Sequence, residues 1–421
     1  MRPSFFHARS VRLVILIFFW AVLVPAHAQQ PRKSARNQPK PLPQVRFVSG
    51  QSAIGIPFQT SSNLILLQIR VNGSAPLWFI LDTGADSTVI DARLAKTLGL
   101  RPRGRMVGTG AAGTAEAVIY EAVALRLPNV EAVGQTVAAL PLDFLGPALG
   151  LKVSGVIGND IIKEFVVEVD YAAQFINLYE PASYQYAGGG EVIPTKPEEN
   201  LQFVRGSVAL GGRTVEGKFE LDTGSTGAVL FNTPFVRKHQ LLEAMPKLNQ
   251  TRIGGVGGTA RAQLGRIKSL TLGRVVITNP VARLSQSARG DYASAKYDGL
   301  IGGEVFRRFK TIFDYSHRRV ILEPSAQFAE SFEVDMSGMS LVADGEDYSV
   351  VLVDEVEAGS VAKKAGVKGG DVITAIDGRA AGEFTLEQIR RMMMQDGREY
   401  LLRLKRGGKA RQIRLKLSRQ L

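Results

Sequence analysis

Two hairpin patterns open the two halves of this chain. Leu64–Val71 and Leu77–Leu81 are apolar-rich runs flanking Asn72-Gly73, a pairing that predicts a tight β-hairpin. Val208–Leu210 and Val215–Leu221 repeat that arrangement around Gly211-Gly212. The second run of each hairpin ends on the same triplet, Asp82-Thr83-Gly84 and Asp222-Thr223-Gly224, 140 residues apart. Short helices are predicted after each triplet, over Asp91–Leu98 up to Gly99 and over Thr233–Leu242 with Pro234 in its first turn.

The repetition continues downstream. A glycine-rich stretch follows each triplet, at 106–117 and 252–262. An apolar pair before glycine comes next, in GVIGNDIIKEF (155–165) and GLIGGEVFRRF (299–309), and both runs look helical after Gly158 and Gly302. Each half closes with a strand-like run containing an acid and a tyrosine, at 166–181 and 311–324. The offsets are 140 at the aspartates, 145 at Gly113/Gly258 and 144 at Gly158/Gly302. Order and spacing kept this closely mean one mostly β unit written twice. A lone D-T-G turns up in roughly one chain in ten of this length, and alone it would read as a tight turn. Two copies inside a repeat instead offer two carboxylates, Asp82 and Asp222, that pseudo-two-fold packing can bring face to face.

These segments resemble the retroviral aspartic proteases (retropepsins), over about 60–180 and again 200–325. With both units on one chain, they also resemble pepsins. The resemblance implies a mostly β, two-lobed pepsin/retropepsin-like β-barrel protease whose single cleft is built from both halves. It implies that Asp82 and Asp222 are catalytic and that Thr83 and Thr223 cross-link their loops. Gly84 and Gly224 would permit the tight backbone there, and Ser225 would support the site. Two facing carboxylates share one proton, because the second charge is repelled by the first. The ionised member acts as base on a water and the protonated one binds the scissile carbonyl. Ser225 follows the second triplet where Ala85 follows the first. A hydroxyl bonded to the ionised form of Asp222 would make Asp222 the preferred base. The glycines of the flap-like stretches are Gly108, Gly110 and Gly113, then Gly254, Gly255, Gly257 and Gly258. They would let hairpin tips open and close over an extended peptide. Neither tip carries the tyrosine that pepsins use; the nearest is Tyr120.

The C-terminal part resembles a PDZ domain, a small α+β fold, through its GS-x-A-x-x-AG-x-K-x-GD-x-I-x-x-I-DG pattern at 359–378. That resemblance places a carboxylate-binding loop at Gly338, Met339, Ser340 and Leu341, to receive a polypeptide C-terminus on its N–H groups. Thr385-Leu386-Glu387-Gln388 predicts a capping box opening a helix to about Gln395.

Composition bounds the rest. Arg2, Arg9 and Arg12, the apolar run Leu13–Val24 and Ala26-His27-Ala28 read as a secretory signal peptide over 1–28, cleaved after Ala28. Export to a periplasmic or extracellular site of a bacterial envelope follows as the expectation. The chain has no cysteine, which removes disulfides, thiol chemistry and cysteine-bound zinc; no metal or cofactor is expected. Residues 29–45 read as a flexible linker, 46–183 and 201–325 as the two lobes, 188–200 as their connection, and 332–418 as the PDZ domain. The formal net charge is +13, and nine basic residues lie between Arg398 and Leu421. They alternate with apolar ones around Gly407-Gly408, predicting a hairpin with one solvated basic face and a weak contact with anionic envelope surfaces. No nucleic-acid partner is expected, since nothing interleaves aromatics with that cluster. The expected partners are therefore an extended polypeptide substrate and C-terminal peptides. A non-proteolytic peptide-binding adaptor and an enzyme needing four lobes from two chains are the rival readings.

Overall fold

The computed structural model describes residues 15–16, 20–21 and 43–421. Apart from those two short N-terminal segments, the expected leader and most of the linker lie outside the described residues. The backbone of Ile15–Leu16 runs parallel to the strand Asn249–Gly255, and that of Trp20–Ala21 antiparallel to Pro102–Gly110. The chain divides into two compact units: Val14–Asp143 with Val153–Phe332, and Glu333–Leu421 with Phe144–Lys152.

In the first unit, Leu64–Val71 and Leu77–Leu81 pair antiparallel, and Asn72 (φ 47°) with Gly73 (φ 80°) forms the turn. Two successive positive φ values give the turn whose twist suits a hairpin. The second half repeats this with Leu201–Leu210 and Arg213–Asp222 around Gly211 (φ 41°) and Gly212 (φ 94°). The strand leading to each Asp is then flanked by a parallel strand from the apolar-glycine run, Gly155–Ile157 beside Leu77–Leu81 and Gly299–Gly302 beside Arg213–Asp222. Gly155 is required there: a β-carbon would lie 2.1 Å from the Phe79 ring.

The closing runs form the hairpins Val166–Asp170/Phe175–Tyr179 and Phe309–Asp314/Arg319–Pro324. They pair with each other, Val167 opposite Phe313 through Asp170 opposite Lys310, so the two halves share one continuous sheet. Ser52–Ser61 and Glu191–Pro194 add its flanking strands. The region expected as a connection, 188–200, is therefore sheet: Glu191–Pro194 pairs with Arg319–Pro324, and Lys196–Glu198 with Leu201–Leu210. Its prolines had hidden this, and Pro194 is tolerated at the end of an edge strand. Likewise Gln44–Phe47, partly inside the expected linker, pairs with Val130–Leu140. The helix expected over 233–242 is two, Thr233–Lys238 and Leu241–Ala244, broken where Gln240 adopts φ 46°.

The second unit has the strand order Met339–Asp344, Val350–Val356, Val372–Ile376, Glu399–Arg406, Lys409–Lys416. Its core joins Leu341, Val353, Ile373, Ile389, Met393, Leu402 and Leu404. Thr385 caps the helix Leu386–Met392 by accepting from the Gln388 N–H, while the Gln388 side chain accepts from the Thr385 N–H. The helix ends sooner than expected, and Met393 faces the core. The basic run does form a hairpin, with Lys405, Lys409, Arg411 and Lys416 exposed.

Candidate active site

The two triplets meet inside the first unit. Thr83 N–H donates to Thr223 Oγ1 at 3.0 Å, and Thr223 N–H donates to Thr83 Oγ1 at 3.0 Å. Thr83 Oγ1 donates onward to the Leu221 carbonyl at 2.8 Å, and Thr223 Oγ1 to the Leu81 carbonyl at 2.7 Å. Each hydroxyl thus accepts one bond and donates another across the two-fold, so all four backbone groups are satisfied although buried.

This clasp brings Asp82 and Asp222, both fully buried, within hydrogen-bonding reach of each other. Gly84 N–H donates to Asp82 Oδ1 at 2.8 Å and Gly224 N–H to Asp222 Oδ1 at 2.9 Å. Each glycine also faces the opposite carboxyl. A β-carbon on Gly84 would lie 2.6 Å from Asp222 Oδ1, and one on Gly224 2.2 Å from Asp82 Oδ2. Glycine is what allows the carboxyl groups to approach. Among the described residues, the Oδ2 atoms of both aspartates are buried without a hydrogen-bond partner.

Burial raises the Asp82 carboxyl to about 7, against N–H groups that stabilise its charge. Burial and the Asp82 charge raise Asp222 well above the usual carboxylate range. At neutral pH the pair retains a proton, and the titration belongs to the pair. The expected asymmetry from Ser225 is not carried by these contacts. Asp222 receives the backbone N–H of Ser225, and Asp82 receives that of Ala85 in the same way. The Ser225 hydroxyl instead packs against Gly302, where a β-carbon would come within 2.8 Å of it.

The glycine-rich stretches are hairpins, Pro102–Gly110 with Gly113–Leu127 and Asn249–Gly255 with Gly258–Arg266. Gly108 and Gly110 lie on the first, with Gly113 opening its return strand; Gly254, Gly255, Gly257 and Gly258 form the tip of the second. The tips touch: Ala112 N–H donates to the Val256 carbonyl at 3.2 Å. A β-carbon on Gly113 would lie 2.8 Å from the Gly257 oxygen, and one on Gly257 2.4 Å from the Gly113 carbonyl carbon. Ala111 and Ala112 are buried with Leu230, Ile253 and Leu300, so the first tip covers an apolar patch of the second half.

Several residues of this site escaped the sequence pattern. Tyr292 donates its hydroxyl to the Gly254 carbonyl at 3.0 Å and its N–H to the Ala111 carbonyl at 3.1 Å, tying both tips. Tyr120, the nearest tyrosine in sequence, pairs with Pro102 at the hairpin base. Asn159 donates its amide to the Thr83 carbonyl at 2.6 Å. Its counterpart in the repeat is Gly303, and that break in symmetry was the available signal. Glu220 occupies the place that Ile80 holds in the first half. It is fully buried, and burial plus the Asp222 charge raises it well above its usual range, opposed by a contact with the Tyr297 hydroxyl. Asp291, beside Tyr292, is raised by burial to about 7.

In the second unit, Met339, Ser340 and Leu341 begin the edge strand Met339–Asp344, and Gly338 adopts φ 75°. The Gly338 N–H donates to Asp335 Oδ1 at 2.6 Å and the Met339 N–H to Ser337 Oγ at 3.0 Å.

Residues 67–161 and 206–305 match the aspartyl protease family, and residues 352–406 match the PDZ domain family. Comparison with curated proteins finds no match. The matched segments contain both triplets, both hairpin tips and most of the PDZ sheet.

Proposed function

We propose that this chain, two aspartyl-protease units followed by a PDZ domain, is an aspartic endopeptidase with one catalytic site built from both halves. The observation that carries this is the buried Asp82–Asp222 pair, held by reciprocal Thr83 and Thr223 bonds, with both Oδ2 atoms unpartnered among the described residues. Those oxygens are the acceptors a water between the carboxyls would satisfy. The ionised carboxylate removes a proton from that water while its oxygen bonds to the scissile carbonyl carbon. The protonated carboxyl gives its proton to the carbonyl oxygen. Collapse breaks the C–N bond: the first carboxyl protonates the nitrogen, and one hydroxyl of the diol returns its proton to the other carboxylate as the new carbonyl forms. The flap tips supply backbone donors and acceptors to a peptide lying as a strand and exclude water when closed.

The PDZ domain binds polypeptide. Its finer role in this reading is to gather polypeptide for the cleft; a C-terminal carboxylate, the expected ligand, would have to displace Asp335 from the Gly338 N–H. The leader-like residues 1–28 support export to a bacterial envelope, and the exposed basic face of the C-terminal hairpin suits weak contact with anionic polymers there.

The test is digestion of an unfolded protein from acid to neutral pH, with new N-termini sequenced. Internal cleavage blocked by a statine-type inhibitor supports the proposal. Polypeptide binding with no new N-termini at any pH favours the adaptor reading instead.

A further inference from the structure

The groove of the PDZ unit lies between its edge strand Met339–Asp344 and the helix Leu386–Met392. In this structure a distant piece of the same chain lies there. The short helix Leu145–Leu149 packs along the edge strand, with Leu145, Ala148 and Leu149 buried. Arg390 fastens it: Nη1 donates to the Ala148 carbonyl and Nη2 to the Leu341 carbonyl, both at 2.7 Å. Small residues permit the fit. A β-carbon on Gly146 would lie 2.2 Å from Tyr348 Oη, and one on Gly150, which closes the turn at φ 73°, would lie 3.0 Å from Leu386 Cβ.

In the expected carboxylate loop, 338–341, the first two N–H groups are already engaged. Gly338 donates to Asp335 and Met339 to Ser337, and Ser337 itself donates to Asp335. An incoming carboxylate meets engaged donors and a like charge. An internal, uncharged segment meets neither obstacle. Arg390 needs only a carbonyl, which any internal turn provides.

We propose that this groove is a binding site for internal apolar segments, and that its resident ligand is residues 144–152 of its own chain. Any other ligand is a segment of the same kind that displaces it. The chain leaves the groove at Val153, two residues before the strand Gly155–Ile157, whose Ile157 carbonyl accepts the Asp82 N–H at 3.0 Å.

The test reads binding, on an Asp82→Asn background, so its outcome is separate from that of the proteolytic reading. The probe is a fluorescent peptide of residues 144–152, acetylated and amidated. In the wild-type segment the tethered ligand competes at an effective concentration on the order of millimolar. Leu149→Asp places a charge in the buried contact and releases it. The peptide is expected to bind the Leu149→Asp chain about tenfold or more tighter than the unreleased chain, and its free-carboxylate form to bind no better. Equal binding to both chains, or preference for the free carboxylate, overturns the proposal. A second measurement needs no change in the groove. Saturating amidated peptide is expected to raise hydrogen exchange at residues 145–149, and unchanged protection there also overturns it.

Discussion

Thr83 and Thr223 each accept the other's backbone N–H on the side-chain hydroxyl, at 3.0 Å in both directions. Neither half can hold its aspartate in place alone, because each triplet's backbone is satisfied by the other. Thr83→Val keeps the shape but orphans the Thr223 N–H and the Leu221 carbonyl, at about 1–3 kcal/mol each. The melting temperature is expected to fall by on the order of 5 °C or more. Catalytic efficiency is expected to fall by roughly 100-fold through misplacement of the dyad. Thr83→Ser keeps the hydroxyl and should retain most of both, which separates the bonds from the methyl packing.

Glu220 sits where the first half has Ile80, and its carboxyl is fully buried. Its folded pKa lies well above the ordinary 4.5. Such a group binds its proton more tightly when folded. Its contribution is fully favourable below the unfolded pKa and is lost as pH rises through the window up to the folded value, at about 1.4 kcal/mol per pH unit. Glu220→Ile removes that loss. Thermal melts should show a gain over wild type that is small in acid and grows toward neutral pH. A difference independent of pH would mean that the carboxyl is hydrated and ionised in the folded chain.

Because burial lifts Asp82 to about 7, the acid limb of kcat/KM is expected above the ordinary carboxylate range. Below that limb both carboxyls are protonated and the base is lost. Ser225 acts on Asp222 through its backbone N–H, as Ala85 acts on Asp82. Ser225→Ala should therefore leave the limb where it is. A shift would restore a role for the hydroxyl in choosing the base.

Tyr292 bonds to both hairpin tips, through its hydroxyl to Gly254 and its N–H to Ala111. Tyr292→Phe removes the bond to the Gly254 carbonyl, worth about 1 kcal/mol, and should raise KM roughly fivefold with the melting temperature little changed. Gly257→Val should act more strongly. Gly257 adopts φ 91°, and a β-carbon there would strike Gly113, so the tips could not meet. Steady-state kinetics on an internally quenched peptide measures both.

Much of this architecture was readable from residue pattern. The paired triplets, the two hairpins around Asn72-Gly73 and Gly211-Gly212, and the Thr385 cap each depend on residues close in sequence. What was not readable depends on distant partners. The 144–152 segment looks like ordinary apolar chain, and Arg390, which fastens it, is 242 residues away. Tyr292 reaches Gly254 from the loop 286–298, whose counterpart in the first half, 141–154, carries no tyrosine. The strand Glu191–Pro194 was disguised by prolines that an edge position tolerates. Asn159 and Glu220 could have been found, because each breaks the internal repeat where Gly303 and Ile80 stand.

The central claim is that one chain builds one site from both aspartates. Cleavage of an unfolded protein by Asp82→Asn, by Asp222→Asn and by an equimolar mixture of the two measures it most directly. The account predicts that each variant is inactive while its melting curve persists, and that mixing restores nothing. Full activity in either single variant, or recovery on mixing, would contradict it.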